Sequence, residues 1–387
     1  GNVVVDNLVN GKPLVYLEGV SDIVVEDAGQ VILVNCNRIK VENLNLSNTC
    51  IGVQLWGTRY TTISGNNVTN NSDGIRLDAS SDYNGISGNN IANNEYGIRS
   101  LWVRPKYNNI VGNYIINNRY GIESGAEYSI SGNTITNNSI GILLDSVYYS
   151  SIVGNQITNN NCGISLGYSN YNSISGNNIT NNDDGIELCS SSNNRFYHNN
   201  LIGNTRQVYD LAWDDPYYSP SINVWDDGYP SGGNYWSDYV GVDVKTGPNQ
   251  DLPGSDGIGD TPYVIDANNR DRYPLMNPYG APPPPTYALT ITTTAGGTTN
   301  PAPKSYGYTS NSVVEVTAIP NADYIFDHWK LDNINVGSAN PYSILMDKNH
   351  TLKAVFSPIP KPPVGGYSFQ IEAVSYTHLR AHETVLD

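Results

Sequence analysis

In the first half of the chain, branched apolar residues recur in fixed columns and not in a helical stripe. A Gly-Asn pair marks the register at Gly65, Gly88, Gly112, Gly132, Gly154 and Gly176, with His198-Asn199 in the same frame, giving spacings of 23, 24, 20, 22, 22 and 22 residues. Two residues before each pair stand Ile63, Ile86, Ile110, Ile130, Ile152, Ile174 and Phe196; three residues after it comes a column running from Val68 to Leu201, and ten after it another from Ile75 to Val208. No i, i+3, i+4 pattern links these positions, and the intervals are rich in Asn, Gly and β-branched residues, which form helices poorly. Three short strands per unit, divided by tight turns, predict one triangular coil of a parallel β-helix. In such an all-β solenoid each coil stacks on the last at about 4.8 Å.

The polar positions are as regular. Of 53 Asn, 40 fall in the first 204 residues, many as pairs at Asn70-Asn71, Asn93-Asn94, Asn117-Asn118, Asn137-Asn138, Asn159-Asn160 and Asn181-Asn182. Asn tolerates the left-handed conformation and its amide both donates and accepts, so equivalent side chains on successive coils are expected to form a hydrogen-bonded ladder. The sequons at Asn45, Asn67, Asn70, Asn137, Asn178 and Asn349 are then by-products of the repeat. A Tyr column at Tyr60, Tyr83, Tyr107, Tyr128, Tyr149 and Tyr171 predicts stacked phenols on one corner. Stacking stabilises a corner without any ligand, while Tyr83, Tyr107 and Tyr128 are the candidates for contact with sugar rings.

Composition narrows the partners. The 387 residues carry 20 Lys+Arg against 36 Asp+Glu, a formal net charge of −16, which argues against nucleic acid because phosphate binding needs clustered basic residues. Four Cys (Cys36, Cys50, Cys162, Cys189) form no CxxC, and two Met with five scattered His argue against a soft-metal site. No apolar run of membrane-spanning length occurs. The chain opens without Met on what reads as the middle of a repeat, so it is expected to be a fragment.

Outward positions following the third turn supply candidate chemistry. Arg76 and Arg99 are predicted on adjacent coils near Asp73, Glu95 and Glu123, a mixed-sign patch able to contact an acidic polysaccharide or to act only as a solvated ion-pair ladder. Paired carboxylates are what glycoside hydrolysis requires, which makes Asp183, Asp184 and Glu187 the catalytic candidates, with His198 as a conceivable acid/base. Asp183-Asp184-Gly185-Ile186 resembles the Asp-Asp segment of polygalacturonase-type β-helix enzymes, and Arg38-Ile39-Lys40 resembles their Arg-Ile-Lys motif. Here the order of the two is reversed and no Gly-His-Gly occurs.

Past residue 209 the repeat loosens. Residues 210–280 read as an acidic aromatic cap, with twelve Asp and three Trp (Trp213, Trp225, Trp236) between 210 and 271, and Gly233-Asn234-Tyr235-Trp236 reads as one more coil after an insertion. Asp251, Asp256 and Asp260 around Gly257 and Gly259 suit Ca²⁺ as hard oxygen ligands on a bent loop, or are a solvated acidic turn. A Pro-rich linker at 281–286 precedes a small all-β module at 287–357, and 358–387 reads as a second linker followed by non-native sequence.

The coils at residues 20–209 resemble the NosD-type right-handed parallel β-helix, part of a class that includes carbohydrate-binding proteins and sugar hydrolases. Residues 287–357, through Ala318-Ile319-Pro320-Asn321-Ala322 and Phe326-Asp327-His328-Trp329, resemble divergent internalin-type B repeats. The copper-site maturation associated with NosD carries over to no residue here. The resemblance implies an extracellular or cell-surface protein that binds glycans or surface polymers without catalysis. A polysaccharide lyase or hydrolase acting on the β-helix face, or a purely structural stalk, are the alternatives, and oligomeric state stays open.

Overall fold

The computed structural model describes residues 6–101, 105–281, 286–310 and 312–360. Most of the predicted Pro-rich linker (282–285) and the tail from 361 lie outside the described residues. Residues 1–281 form one compact unit and 282–387 a second.

The first unit is the predicted β-helix. Each coil contributes one strand to each of three sheets, as in Thr62–Ser64, Asn67–Thr69 and Asp73–Asp78. Among the described residues the first sheet has eleven strands, and the second and third have nine each. Their strands pair in parallel in strict register, for example Ile86 with Ile63 and Ile110, and Ile91 with Val68 and Ile115. An antiparallel hairpin, Leu8–Val9 with Lys12–Glu18, begins the first sheet. The three apolar columns point inward and almost all are fully buried.

Both Asn positions of the repeat work as expected, and a second ladder joins them. The leading residue of each Asn pair is exposed with positive φ, as at Asn137 (φ 55) and Asn159 (φ 55), while the second is buried. The buried amides donate coil to coil: Asn138 Nδ2 to Asn160 Oδ1 at 3.0 Å, and Asn160 Nδ2 to Asn182 Oδ1 at 3.0 Å. The Asn of each Gly-Asn pair builds a parallel ladder from Asn66 to Asn234, as in the 2.9 Å bond from Asn155 to Asn177.

A steric rule fixes the Gly at the second position of the first-sheet strands from Ile51–Trp56 to Asp184–Cys189. A Cβ on Gly141 would stand 2.6 Å from the carbonyl oxygen of Gly163, and Gly74, Gly97, Gly121 and Gly163 are equally crowded by the next coil. Only a residue without Cβ lets the coils approach this closely.

The cap continues the same logic. Tyr235–Trp236 pairs in parallel with Asn200–Ile202, and Trp225 and Trp236 are buried in the continuous core, Trp225 stacked on Phe196 at 4.2 Å. The Gly-Asn ladder ends on a carboxylate: the Asn234 N–H donates to Asp271 Oδ2 at 2.6 Å and the Trp236 indole N–H donates to the same oxygen at 2.9 Å. Asp271 is fully buried, and burial pushes its carboxyl up to about 7 against the opposing pull of these donors.

The second unit packs a five-stranded sheet and a three-stranded sheet around Trp329, Leu289, Val316, Met346 and Leu352. His328 stands beside the fully buried Trp329, and its Nε2 is buried without a hydrogen-bond partner among the described residues.

Candidate functional site

The outward face of the first sheet gathers the predicted patch. Strand register places Gln54, Arg76, Arg99 and Glu123 side by side on four successive coils. Arg99 Nε meets Glu123 at 3.0 Å and its Nη1 lies 3.5 Å from Asp73; Arg76 meets Asp78 at 2.8 Å and Asp73 at 3.4 Å. Gln54 Nε2 donates to Asp78 at 2.9 Å. Neither solvated ion pairs nor a free cationic surface describes this arrangement, because Asp78 is fully buried, Asp73 nearly so, and both arginines are about three-quarters covered. Burial pushes the carboxyls of Asp73 and Glu123 upward, and the neighbouring guanidinium groups pull the other way. Glu95 stands apart, paired with Arg119 at 3.3 Å.

Sequence reasoning missed the aromatic part of this face. Tyr96 and Tyr120 stack at 4.7 Å, and the Arg99 guanidinium lies 3.6 Å above the Tyr96 ring. Trp56, in register with Asp78 on the neighbouring strand, leaves 43% of its surface exposed. The sheet register was the missing signal, since Trp56 belongs to none of the three apolar columns.

Two arginines against three carboxylates leave the patch without uncompensated positive charge, so its charge does not favour the acidic polysaccharide considered from the sequence. Attraction for a polyanion requires uncompensated positive charge, and the whole chain carries −16.

The catalytic candidates do not assemble into an acid/base pair. Asp183 is exposed in the bend that precedes the strand Asp184–Cys189, whereas Asp184, the first residue of that strand, is buried. Both Asp184 oxygens are taken by Arg206, one of them at 2.7 Å, and Glu187 accepts from Ser165 Oγ at 2.8 Å. His198 takes the left-handed turn position (φ 57), bonds the Ser231 carbonyl at 2.8 Å and stacks on Tyr279 at 4.1 Å, which is a packing role. In the Arg-Ile-Lys segment, Arg38 is spent on Asp22 at 2.7 Å and Ile39 is fully buried.

The tyrosine column is real but breaks at Tyr128. Tyr60, Tyr83 and Tyr107 stack at 5.3 and 4.9 Å, and Tyr149 stacks on Tyr171 at 5.6 Å, all at positive φ. Both faces of Tyr83 are covered by its neighbours, so this corner offers ring edges and hydroxyls and not a stacking platform. In the 20-residue coil Glu127 takes the column position (φ 57), and Tyr128 moves one place into the buried row occupied elsewhere by Asn108 and Ser150, its hydroxyl 2.7 Å from Ser100. Tyr128 stands four residues before its Gly where the others stand five, and that offset is the sequence signal for the shift.

The acidic loop of the cap is spent on its own backbone. Asp256 accepts from Ile258 N–H, Thr246 and Gln250; Asp260 accepts from Val244 and Lys245 N–H; and Asp243, absent from the sequence expectation, accepts from Ser255, Asp256 and Gly257. Among the described residues no three His, Cys, Asp or Glu side chains gather where a metal ion would be held, so the Asp251, Asp256 and Asp260 set expected for Ca²⁺ does not converge.

The fold and register define a parallel β-helix repeat protein. The chain belongs to the family described as periplasmic copper-binding protein (NosD), which matches residues 2–129 and 119–241, and residues 287–360 match the divergent InlB B-repeat domain. No curated protein matches it. Among solved structures, the A-module of the mannuronan C-5 epimerase AlgE4 of Azotobacter vinelandii is 16% identical over 46% of this chain and 61% of that one, with a TM-score of 0.37. A double mutant of the periplasmic alginate epimerase AlgG is 18% identical over 50% and 63% (TM-score 0.40), and the Dettilon tailspike protein is 14% identical over 76% and 79% (TM-score 0.37). The chain thus spans about three-fifths of the two epimerase chains, and at these identities the similarity is one of fold.

Copper, which the family description names, finds no fitting donor set among the described residues. Cys36 is buried and turned to the Leu17 carbonyl, Cys50 is exposed, and Cys162 and Cys189 sit on adjacent strands but in register with Asp184 and Gly167, at opposite ends of the pairing. Met346 is fully buried in the second unit, far in sequence from Met276. Soft-metal sites require such donors to converge.

Proposed function

We propose that the protein is a non-catalytic glycan-binding β-helix, working outside the cytoplasm, whose contact face is the first sheet around Gln54, Trp56, Arg76, Arg99 and Glu123. One observation carries this reading: an exposed indole shares a face with planar polar side chains that are already held rigid by buried carboxylates. Sugars are bound by stacking their apolar faces on aromatic rings while fixed polar groups read the hydroxyls, and side chains ordered in advance lose little entropy on binding. Because the patch carries no uncompensated positive charge, the ligand class it fits is uncharged. The location is supported by the family description, which is that of a periplasmic protein.

A second reading, a carbohydrate-active enzyme, draws on Asp73, a buried carboxyl, and Glu123, a partly buried one, both held above their ordinary range in one patch. A raised carboxyl is what a general acid needs. A glycan microarray, followed by assays for reducing ends and unsaturated products, separates the two. Binding without turnover that weakens roughly tenfold in Trp56→Ala, from about 1.5 kcal/mol of stacking, supports the first. Turnover lost in Glu123→Gln supports the second, and neither binding nor turnover on any glycan leaves the structural stalk and overturns both.

A further inference from the structure

A polar groove of about 560 Å³ lies along the turn between the third and first sheets, lined by Asn117, Arg119, Asn137, Ser139, Asn159 and Asn161 on three successive coils. The residue after each buried ladder Asn explains why it opens there. That position runs Glu95, Arg119, Ser139, Asn161, Asp183, so two short side chains follow two long ones. Exposed Asn at positive φ is ordinary turn chemistry, and Asn70, Asn93 and Asn181 hold the same conformation elsewhere. What distinguishes this stretch is the depression, floored by a ladder whose own amides are satisfied at 3.0 to 3.1 Å. Above that floor Asn117, Asn137 and Asn159 stand exposed, and their side-chain amides make no hydrogen bond within the described residues. They repeat at the coil spacing of about 4.8 Å. Arg119 is matched by Glu95 at 3.3 Å, so the groove carries no uncompensated cation.

We propose that this groove is a second contact for an uncharged polysaccharide, holding a chain that runs along the helix axis and exchanges hydrogen bonds with one amide per coil. The proposal rests on the reading of the protein as glycan-binding and adds to it a site, a direction and a ligand class. An amide that donates and accepts suits sugar hydroxyls, which also do both, and a row of such groups at constant spacing suits a polymer better than a single ring.

The test uses the full chain and the triple variant Asn117→Gly, Asn137→Gly and Asn159→Gly. Glycine keeps the left-handed turn and leaves the buried ladder untouched, so the variant removes the amides and retains the coil. Binding is read by titration calorimetry with the neutral oligosaccharides retained on a microarray of neutral and uronic-acid glycans. Three lost hydrogen bonds at about 0.5 to 1.5 kcal/mol each predict at least a roughly tenfold rise in Kd at an unchanged melting temperature. Affinity within about twofold of the unmodified chain overturns the groove while leaving the sheet-face reading intact, provided Trp56→Ala still weakens binding. A preference for uronic-acid glycans overturns the uncharged ligand class, and a chain that retains no glycan overturns both proposals.

Discussion

The two residues of an Asn-Asn pair, identical in type and adjacent in sequence, should respond to mutation in opposite ways, and Asn159-Asn160 is the sharpest case. Asn160→Ala removes four hydrogen bonds: those that its Oδ1 accepts from the Asn138 backbone N–H at 2.9 Å and from Asn138 Nδ2 at 3.0 Å, and those that its Nδ2 donates to Asn182 Oδ1 at 3.0 Å and Ile135 O at 3.3 Å. All lie where water does not reach, and the Asn138 N–H is left without its acceptor. At about 1 kcal/mol per bond, with a buried orphan donor at the upper end, the loss comes to about 4 kcal/mol. Asn159→Gly removes an exposed amide and relaxes a left-handed residue, so its effect should stay within about 0.5 kcal/mol. Denaturant unfolding of both variants, with hydrogen exchange read at the Asn138 amide, checks the contrast. Fast exchange at Asn138 should appear only in Asn160→Ala. Equal destabilisation by the two changes, or a loss below about 1 kcal/mol for Asn160→Ala, would refute the ladder as a source of stability.

Other consequences follow from the same contacts. Asp271 is held up to about 7 in the folded cap, so the stability it contributes is complete at acid pH, below its ordinary range, and is lost as pH rises through about 7. That rise of the carboxyl corresponds to at most about 4 kcal/mol. Melting temperature should therefore fall between pH 5 and pH 8 beyond what Asp73 and Glu123, raised in the same sense, account for, and Asp271→Asn should flatten that part of the slope. Gly141→Ala should cost about 1 to 3 kcal/mol, because the new Cβ meets the Gly163 carbonyl 2.6 Å away and backbone has to move; an unchanged denaturation midpoint would show the coils to be looser than this. Chelator should leave the melting temperature unchanged, since Asp256 and Asp260 already hold backbone and side-chain donors; a drop in chelator that Asp256→Ala abolishes would restore the calcium site.

Periodicity alone determined most of the scaffold. A period near 22 with three β-branched columns admits few folds, because each column must be buried and each Gly or Asn must turn the chain, so the coil type, the inward faces and the Asn ladder were all readable in the sequence. Even the terminal coil at Gly233-Asn234-Tyr235-Trp236 was legible, because it repeats the signature. What the sequence could not give is how neighbouring coils share their side chains. Stacking distance and register turned the mixed-sign patch of Arg76 and Arg99 into a largely buried, charge-compensated network in place of a solvated ion-pair ladder, and brought Trp56 onto the same face. Packing likewise turned Tyr128 into the core, closed both faces of Tyr83, and committed Asp184 to Arg206. These outcomes depend on contacts between residues about 22 positions apart, where burial and charge pairing are decided across coils. A repeat fixes where each side chain points, and only the stacked neighbour decides what it meets there.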